Sequence, residues 1–109
     1  MALKHANPLD IIDVRPLGEN LRNHVTSSLL KANKLQVMRV VLLAGKTMPE
    51  HHVAGEMTLQ CLEGEAQVTT PTQSCHLLAG QLMVLPGGEP HSLKAIADAS
   101  LLVTMLIHA

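Results

Sequence analysis

GKTMPEHHVAGEMTLQCLEG, residues 45–64, and GQLMVLPGGEPHSLKA, residues 80–95, are the two stretches of this chain in which glycine, proline and histidine recur at close spacing. Each stretch starts on a glycine and then carries apolar residues at alternating positions, which is typical of a half-buried β-strand. The glycines and Pro86 are residues that turns require, because φ there is positive or fixed. The two stretches therefore predict strands joined by tight turns, with His51 and His91 beside them.

Short β-type segments make up most of the remaining chain. They cover residues 35–43, 57–62, 66–70 and 101–107, with turn signals between them, including IADAS at 96–100. Strands at roughly ten-residue spacing favour an all-β sandwich or barrel over alternating strands and helices. We expect one domain, with residues 1–30 as an N-terminal arm or edge strand and residues 31–109 as the barrel.

The composition excludes several classes of protein. The 109 residues are 47% hydrophobic and 16% charged, the net charge is −1, and Phe, Tyr and Trp are absent. A nucleic-acid binder would carry a basic patch, or aromatic side chains on which bases stack. No apolar stretch reaches the roughly 18 residues that span a bilayer, and the N-terminus lacks the apolar region of a signal peptide. These features predict a cytoplasmic protein that contacts neither nucleic acid nor membrane, with Cys61 and Cys75 as reduced packing residues.

The two glycine-rich stretches resemble the two motifs of the cupin superfamily, G-x5-H-x-H-x3,4-E-x6-G and G-x5-P-x-G-x2-H-x3-N. The matching positions are Gly45, His51, Gly64, Gly80, Pro86, Gly88 and His91. Val53 stands where the second histidine of the first motif belongs, Met57 where its glutamate belongs, and Ala95 where the second motif has asparagine. The resemblance covers about residues 36–107 and implies a small antiparallel β-barrel, or jelly roll, of the RmlC-like cupin type.

Strand parity indicates which side chains face the inside of such a barrel. Residues two apart on a strand face the same side, and the odd positions after His51 are mainly apolar, whereas the even ones are mainly polar. His51 and His91 are therefore expected inside, and His52 and Glu56 outside. The predicted pocket lining is Val53, Met57, Leu59, Cys61 and Leu93.

The resemblance implies a metal ion in this pocket, held by fewer ligands than in the complete family motif. Two imidazoles remain of the family's three-histidine, one-glutamate set, so His51 and His91 are the expected ligands of one divalent transition metal (Fe, Mn, Ni, Zn or Cu). Met57 and Cys61 are additional soft candidates that favour copper(I), although both residue types also fill barrel cores. His52 is a further candidate ligand. A one-residue shift in the register of the first motif strand would assemble a different ligand set, namely Glu50, His52, Glu56 and His91. The alternative hypothesis is that the pocket binds no metal.

Three functions agree with these residues. The first is an enzyme in which the metal at His51 and His91 serves dioxygenase- or isomerase-type chemistry on a small molecule. The second is a metal-free module that binds a small ligand as a sensor, and the third is metal-free acid/base catalysis with His51 as the base. Residues 37–43 and 101–107 are apolar on both faces, which predicts a homodimer that covers an outer sheet face.

Overall fold

The computed structural model describes residues 5–107, so residues 1–4 of the predicted arm lie outside the described part. A short 3-10 helix precedes seven strands: Gly18–Asn23, then β1 (Ser27–Lys31), β2 (Leu35–Leu42), β3 (Thr47–His51), β4 (Met57–Thr69), β5 (Ser74–Leu78), β6 (Leu82–Leu85) and β7 (His91–Leu106). Within residues 5–107, no helix is long and apolar enough to cross a membrane. The prediction of an all-β chain is confirmed.

The strands form two layers because β4 and β7 change partners halfway along. The first half of β4 pairs with β6, its second half pairs with β5, and β7 runs antiparallel beside both halves. The second half of β7 also pairs with β2, which carries β1 at the edge, while its first half pairs with β3. One layer thus has the order β1-β2-β7-β4-β6 and the other β3-β7-β4-β5. This antiparallel arrangement is the predicted jelly-roll barrel.

Both long strands are continuous where the sequence predicts breaks. Residues 57–62 and 66–70 were expected as separate strands, yet β4 runs through Gly64, and β7 runs through residues 96–100. The pairing of β4 with β7 shifts register three times between Cys61 and Ala66. Gly64 has a φ of 78°, and a Cβ on it would lie 2.1 Å from the carbonyl oxygen of Asp98. The prediction of turns here is wrong because bulges bend a strand without ending it.

The space between the layers holds a closed apolar core. Leu59 is 1% exposed, and Cys61, Val68 and Leu101 have no exposed surface. Smaller residues, such as Ala95 and Ala99, lie where β7 bends and the two layers approach each other. Alternation along β4 places Met57, Leu59 and Cys61 on the buried side, as strand parity predicts.

The N-terminal segment is held to the outside of the first layer by a partly buried polar cluster. The Glu63 carboxylate accepts hydrogen bonds from the backbone N–H of Leu17 (2.8 Å), from that of Gly18 (3.0 Å) and from the Ser100 hydroxyl. Arg39, which is 7% exposed, donates from Nη2 to the carbonyl oxygen of Arg15 at 3.0 Å. Burial raises the pKa of Glu63, but the three hydrogen bonds and the Arg39 charge outweigh it and hold the pKa below its usual range.

Candidate functional site

The register of β3 against β7 brings the two motif histidines together. His51 and His91 are directly opposite each other in this antiparallel pair, after a bulge on β3 between Met48 and His51. Side chains at opposite positions lie on the same face of the sheet, at the closest approach between neighbouring strands. The centres of the two imidazole rings are 4.3 Å apart, and the ring planes are tilted by 59°.

Backbone carbonyl groups fix the orientation of both rings. Nδ1 of His51 lies 3.0 Å from the carbonyl oxygen of Pro49, and Nδ1 of His91 lies 3.0 Å from that of Glu89. A carbonyl oxygen only accepts hydrogen bonds, so Nδ1 is the protonated nitrogen in each ring. In the neutral rings, Nε2 therefore keeps its lone pair. The same arrangement orients histidines that ligate metals, because the second ring nitrogen donates to a carbonyl or carboxylate.

The two histidines contribute to one wall of an internal cavity of about 130 Å³ between the layers, which we call the barrel cavity. His91 is buried, with 1% of its surface exposed, whereas His51 is exposed and so lies at the cavity mouth. The remaining side chains that line it are aliphatic or thioether groups, from Met38, Val40, Met48, Val53, Met57, Leu59, Leu93, Val103 and Met105. The structure thus places Val53, Met57, Leu59 and Leu93 around the histidine pair.

Cys61 does not line the barrel cavity, although strand parity places it on the same side of β4 as Met57. It is fully buried, and its thiol contacts the carbonyl oxygens of Glu63 at 3.3 Å and Gly64 at 3.6 Å. Burial raises the pKa of this thiol, which keeps it protonated. Cys61 is therefore a core residue rather than a candidate ligand.

The alternative ligand set is not assembled. Glu50, His52 and Glu56 are exposed, and none of them lines the barrel cavity. Among residues 5–107, no group of three or more His, Cys, Asp or Glu side chains is placed to hold a metal ion. The register shift would also expose Met57 and Leu59, which are buried. The histidine pair therefore stands without a carboxylate beside it.

Three methionines of the cavity lining were not found from the sequence. Met38 and Met105 lie on β2 and β7, outside the two motifs, and the pairing of β2 and β4 with β7 brings them to the cavity. Met48 is three residues before His51, a spacing that puts two side chains on opposite faces of a regular strand. The bulge inserts one extra residue on β3 and so brings both to the same face. Pro49 before the histidines was the available signal for that bulge.

The donor set decides which metal ions suit the site. The two imidazoles fit a metal ion, because both keep Nε2 free to bind. The three-histidine, one-glutamate set implied by the motif resemblance does not fit, because Val53 has no donor atom and Met57 offers a thioether in place of a carboxylate. Iron(II) and manganese(II) prefer nitrogen and oxygen ligands, whereas thioethers select soft ions. A hard-ion centre of that type is therefore not built here.

Several solved protein structures have a fold similar to that of this chain. No protein-family model matches the chain, and a search of curated proteins finds no match either. A cupin superfamily protein from Desulfitobacterium hafniense is similar over 94% of this chain and 100% of its own, with a TM-score of 0.78 and 19% identity. A protein of unknown function from Streptococcus pyogenes is similar over 100% and 99%, with a TM-score of 0.76 and 21% identity.

An RmlC-like cupin with a double-stranded β-helix fold from Methanocaldococcus jannaschii is also similar. It aligns over 91% of this chain and 94% of its own, with a TM-score of 0.75 and 20% identity. These similarities cover nearly the whole of each chain at low sequence identity, so they concern the arrangement of the strands and not a shared chemistry. Together with the two motifs and the layered jelly roll, they establish that this chain has the cupin fold.

Proposed function

We propose that this protein binds a small molecule in the barrel cavity, with a metal ion held by His51 and His91 at the cavity wall. The observation that carries the proposal is the shared orientation of the two rings. Each donates Nδ1–H to a backbone carbonyl, and each lines the same cavity. This common tautomer leaves the Nε2 lone pair of both rings available to a ligand.

The spacing of the rings supports a shared ion. Two imidazoles that bind one ion tetrahedrally through bonds of about 2.0–2.1 Å have ring centres roughly 5 Å apart. The observed separation is 4.3 Å. An ion held by two protein nitrogens keeps open positions for water or for a bound molecule.

The cavity sets the size and character of that molecule. An apolar cavity of about 150 Å³ holds a benzene molecule, and the barrel cavity has about 130 Å³. The chain has no Phe, Tyr or Trp side chain for stacking on a sugar or a nucleobase. A compact, mainly apolar organic molecule with one group that contacts the imidazoles or their ion fits these walls. Within the lining, His51 and His91 are the groups that can take up or release a proton, so any proton transfer in the cavity belongs to them.

Elemental analysis of purified, tag-free protein tests the metal. We expect close to one metal ion per chain in the wild-type protein and loss of that metal in His51→Ala and in His91→Ala. His52→Ala is the matched control, because His52 is the neighbouring histidine but is exposed and away from the cavity. It should retain the metal of the wild-type protein.

Metal that stays in both cavity variants would contradict the proposal. If wild-type protein carries no metal after growth in metal-supplemented medium, the second candidate function, metal-free ligand binding, takes its place. The aliphatic and thioether lining is the observation that favours this second function. A rise in melting temperature with a compact apolar ligand, lost when Leu59→Phe fills the cavity, would then identify it.

A further inference from the structure

The barrel cavity collects most of the methionine of this chain. Of the five methionines within residues 5–107, four line the cavity: Met38, Met48, Met57 and Met105. They come from four different strands, β2, β3, β4 and β7, and share the cavity with both imidazoles. Met57 and Met105 are directly opposite each other in the register of β4 and β7. Six soft or borderline donor side chains thus surround about 130 Å³.

Packing alone does not require this composition. Leucine and isoleucine also fill protein cores, and the layer interface away from the cavity is closed by Val68, Leu77, Leu101 and alanines. The thioethers are concentrated at the wall that carries the histidine pair. Unbranched side chains with three rotatable bonds can also move toward an ion without moving the strands.

The charge of the donor set limits the ion. Thioethers and imidazoles bind metal ions as uncharged ligands, and among residues 5–107 no carboxylate or thiolate lines the cavity. The desolvation cost of a buried ion rises steeply with its charge and must be offset by its ligands. A monovalent soft ion meets this condition better than a divalent one, and thioether and imidazole groups are ligands that copper(I) accepts.

We propose that the barrel cavity is a copper(I) site, in which Nε2 of His51 and His91 and thioether sulfurs of the cavity methionines hold the ion. This proposal rests on the proposed function, in which His51 and His91 hold one metal ion, and it names that ion. The neutral ligand set and the apolar lining disfavour oxidation to copper(II), because a divalent ion would be more costly to hold among these groups than a monovalent one.

An anaerobic titration of the full-length, reduced protein with copper(I), in competition with a chromogenic copper(I) chelator, tests the proposal. We expect one equivalent to bind in the wild-type protein. The double variant Met48→Leu/Met57→Leu keeps the side-chain volume and fold, and we expect its copper(I) affinity to fall by about tenfold or more. Met83→Leu is the matched control and should bind like wild type, because Met83 does not line the barrel cavity.

Both copper(I) and zinc(II) are also titrated into His51→Ala and His91→Ala, and zinc(II) into the methionine variants, which separates this proposal from the proposed function. If Met48→Leu/Met57→Leu binds copper(I) as tightly as wild type, the thioethers are not ligands and the copper(I) site is overturned, even where zinc(II) binding still depends on His51. If the binding of neither ion depends on the histidines, the metal site of the proposed function itself is overturned. Cys75 lies 3.9 Å from the sulfur of Met83 and is a competing soft site. Copper(I) binding that is lost in Cys75→Ala but kept in His91→Ala would also overturn the proposal.

Discussion

Gly64→Ala should destabilise the protein more than any other alanine substitution at a glycine with positive φ. The new Cβ would meet the Asp98 carbonyl oxygen at 2.1 Å and the Ala99 Cα at 2.9 Å. Both neighbours are backbone atoms of β7, so neither can move aside without breaking the pairing of β4 with β7. Alanine also resists the φ of 78°. We expect the free energy of unfolding to fall by about 3–5 kcal/mol.

Gly45→Ala is the control that separates the two effects. Gly45 has a similar φ of 82°, but a Cβ there would meet no atom within 4 Å. This variant should lose about 1 kcal/mol, the cost of the left-handed conformation alone. Chemical denaturation followed by circular dichroism measures both losses. Equal losses in the two variants would contradict the close approach of β4 and β7 at Gly64.

Glu63→Gln should produce the second largest loss, because the Glu63 carboxylate joins three parts of the chain. It accepts from the N–H groups of Leu17 and Gly18 and from the Ser100 hydroxyl, and it faces the charge of Arg39. A glutamine keeps one accepting oxygen but presents an NH₂ group where the other oxygen accepts. The expected loss is about 2–3 kcal/mol, since hydrogen bonds to a charged group are among the stronger ones.

Glu65→Gln is the matched control for Glu63→Gln. Glu65 is two residues further along β4, and its carboxylate pairs with Nδ1 of His76 at 2.5 Å near the surface. Loss of a solvent-screened pair of this kind costs about 0–1 kcal/mol. If the two variants lost the same stability, the polar cluster under the N-terminal segment would not exist as described.

The Glu63 contribution should also depend on pH in a defined direction. The folded protein holds the pKa of Glu63 below its ordinary value of 4.5. The stability it contributes is therefore complete above the unfolded pKa and is lost as the pH falls through the folded pKa. The difference in unfolding free energy between wild type and Glu63→Gln should be constant at neutral pH and shrink on acidification below 4.5.

Much of the fold could be predicted because its signals are local. Turn glycines, short apolar segments and the two motif spacings led to the jelly roll and to His51 and His91. The continuity of β4 and β7 could not be predicted, because the same Gly64 that marks a turn in sequence forms a bulge once β7 lies beside it. Whether a glycine ends a strand or bends it depends on a pairing that is distant in the chain.

The sequence predicted those side chains of the candidate site whose direction depends on a single strand. Parity along β4 placed Met57 and Leu59 correctly on the buried side, since it requires no partner. Met48 depends on a bulge, and Met105 on the register of a strand outside the motifs. The homodimer stays a prediction; Leu82, Val84 and Leu106 are the exposed apolar residues on the outer side of the first layer.

In the proposed site, His51 and His91 act together through their Nε2 atoms at the barrel cavity. Long-range proton–nitrogen NMR spectra of ¹⁵N-histidine-labelled protein test it directly, first without metal and then with silver(I), a diamagnetic soft ion. We predict protonated Nδ1 and unprotonated Nε2 in both rings, and a joint shift of both Nε2 signals that is complete at one equivalent of silver(I). Protonated Nε2 atoms in the metal-free protein, or a silver(I) shift confined to one ring, would contradict the account.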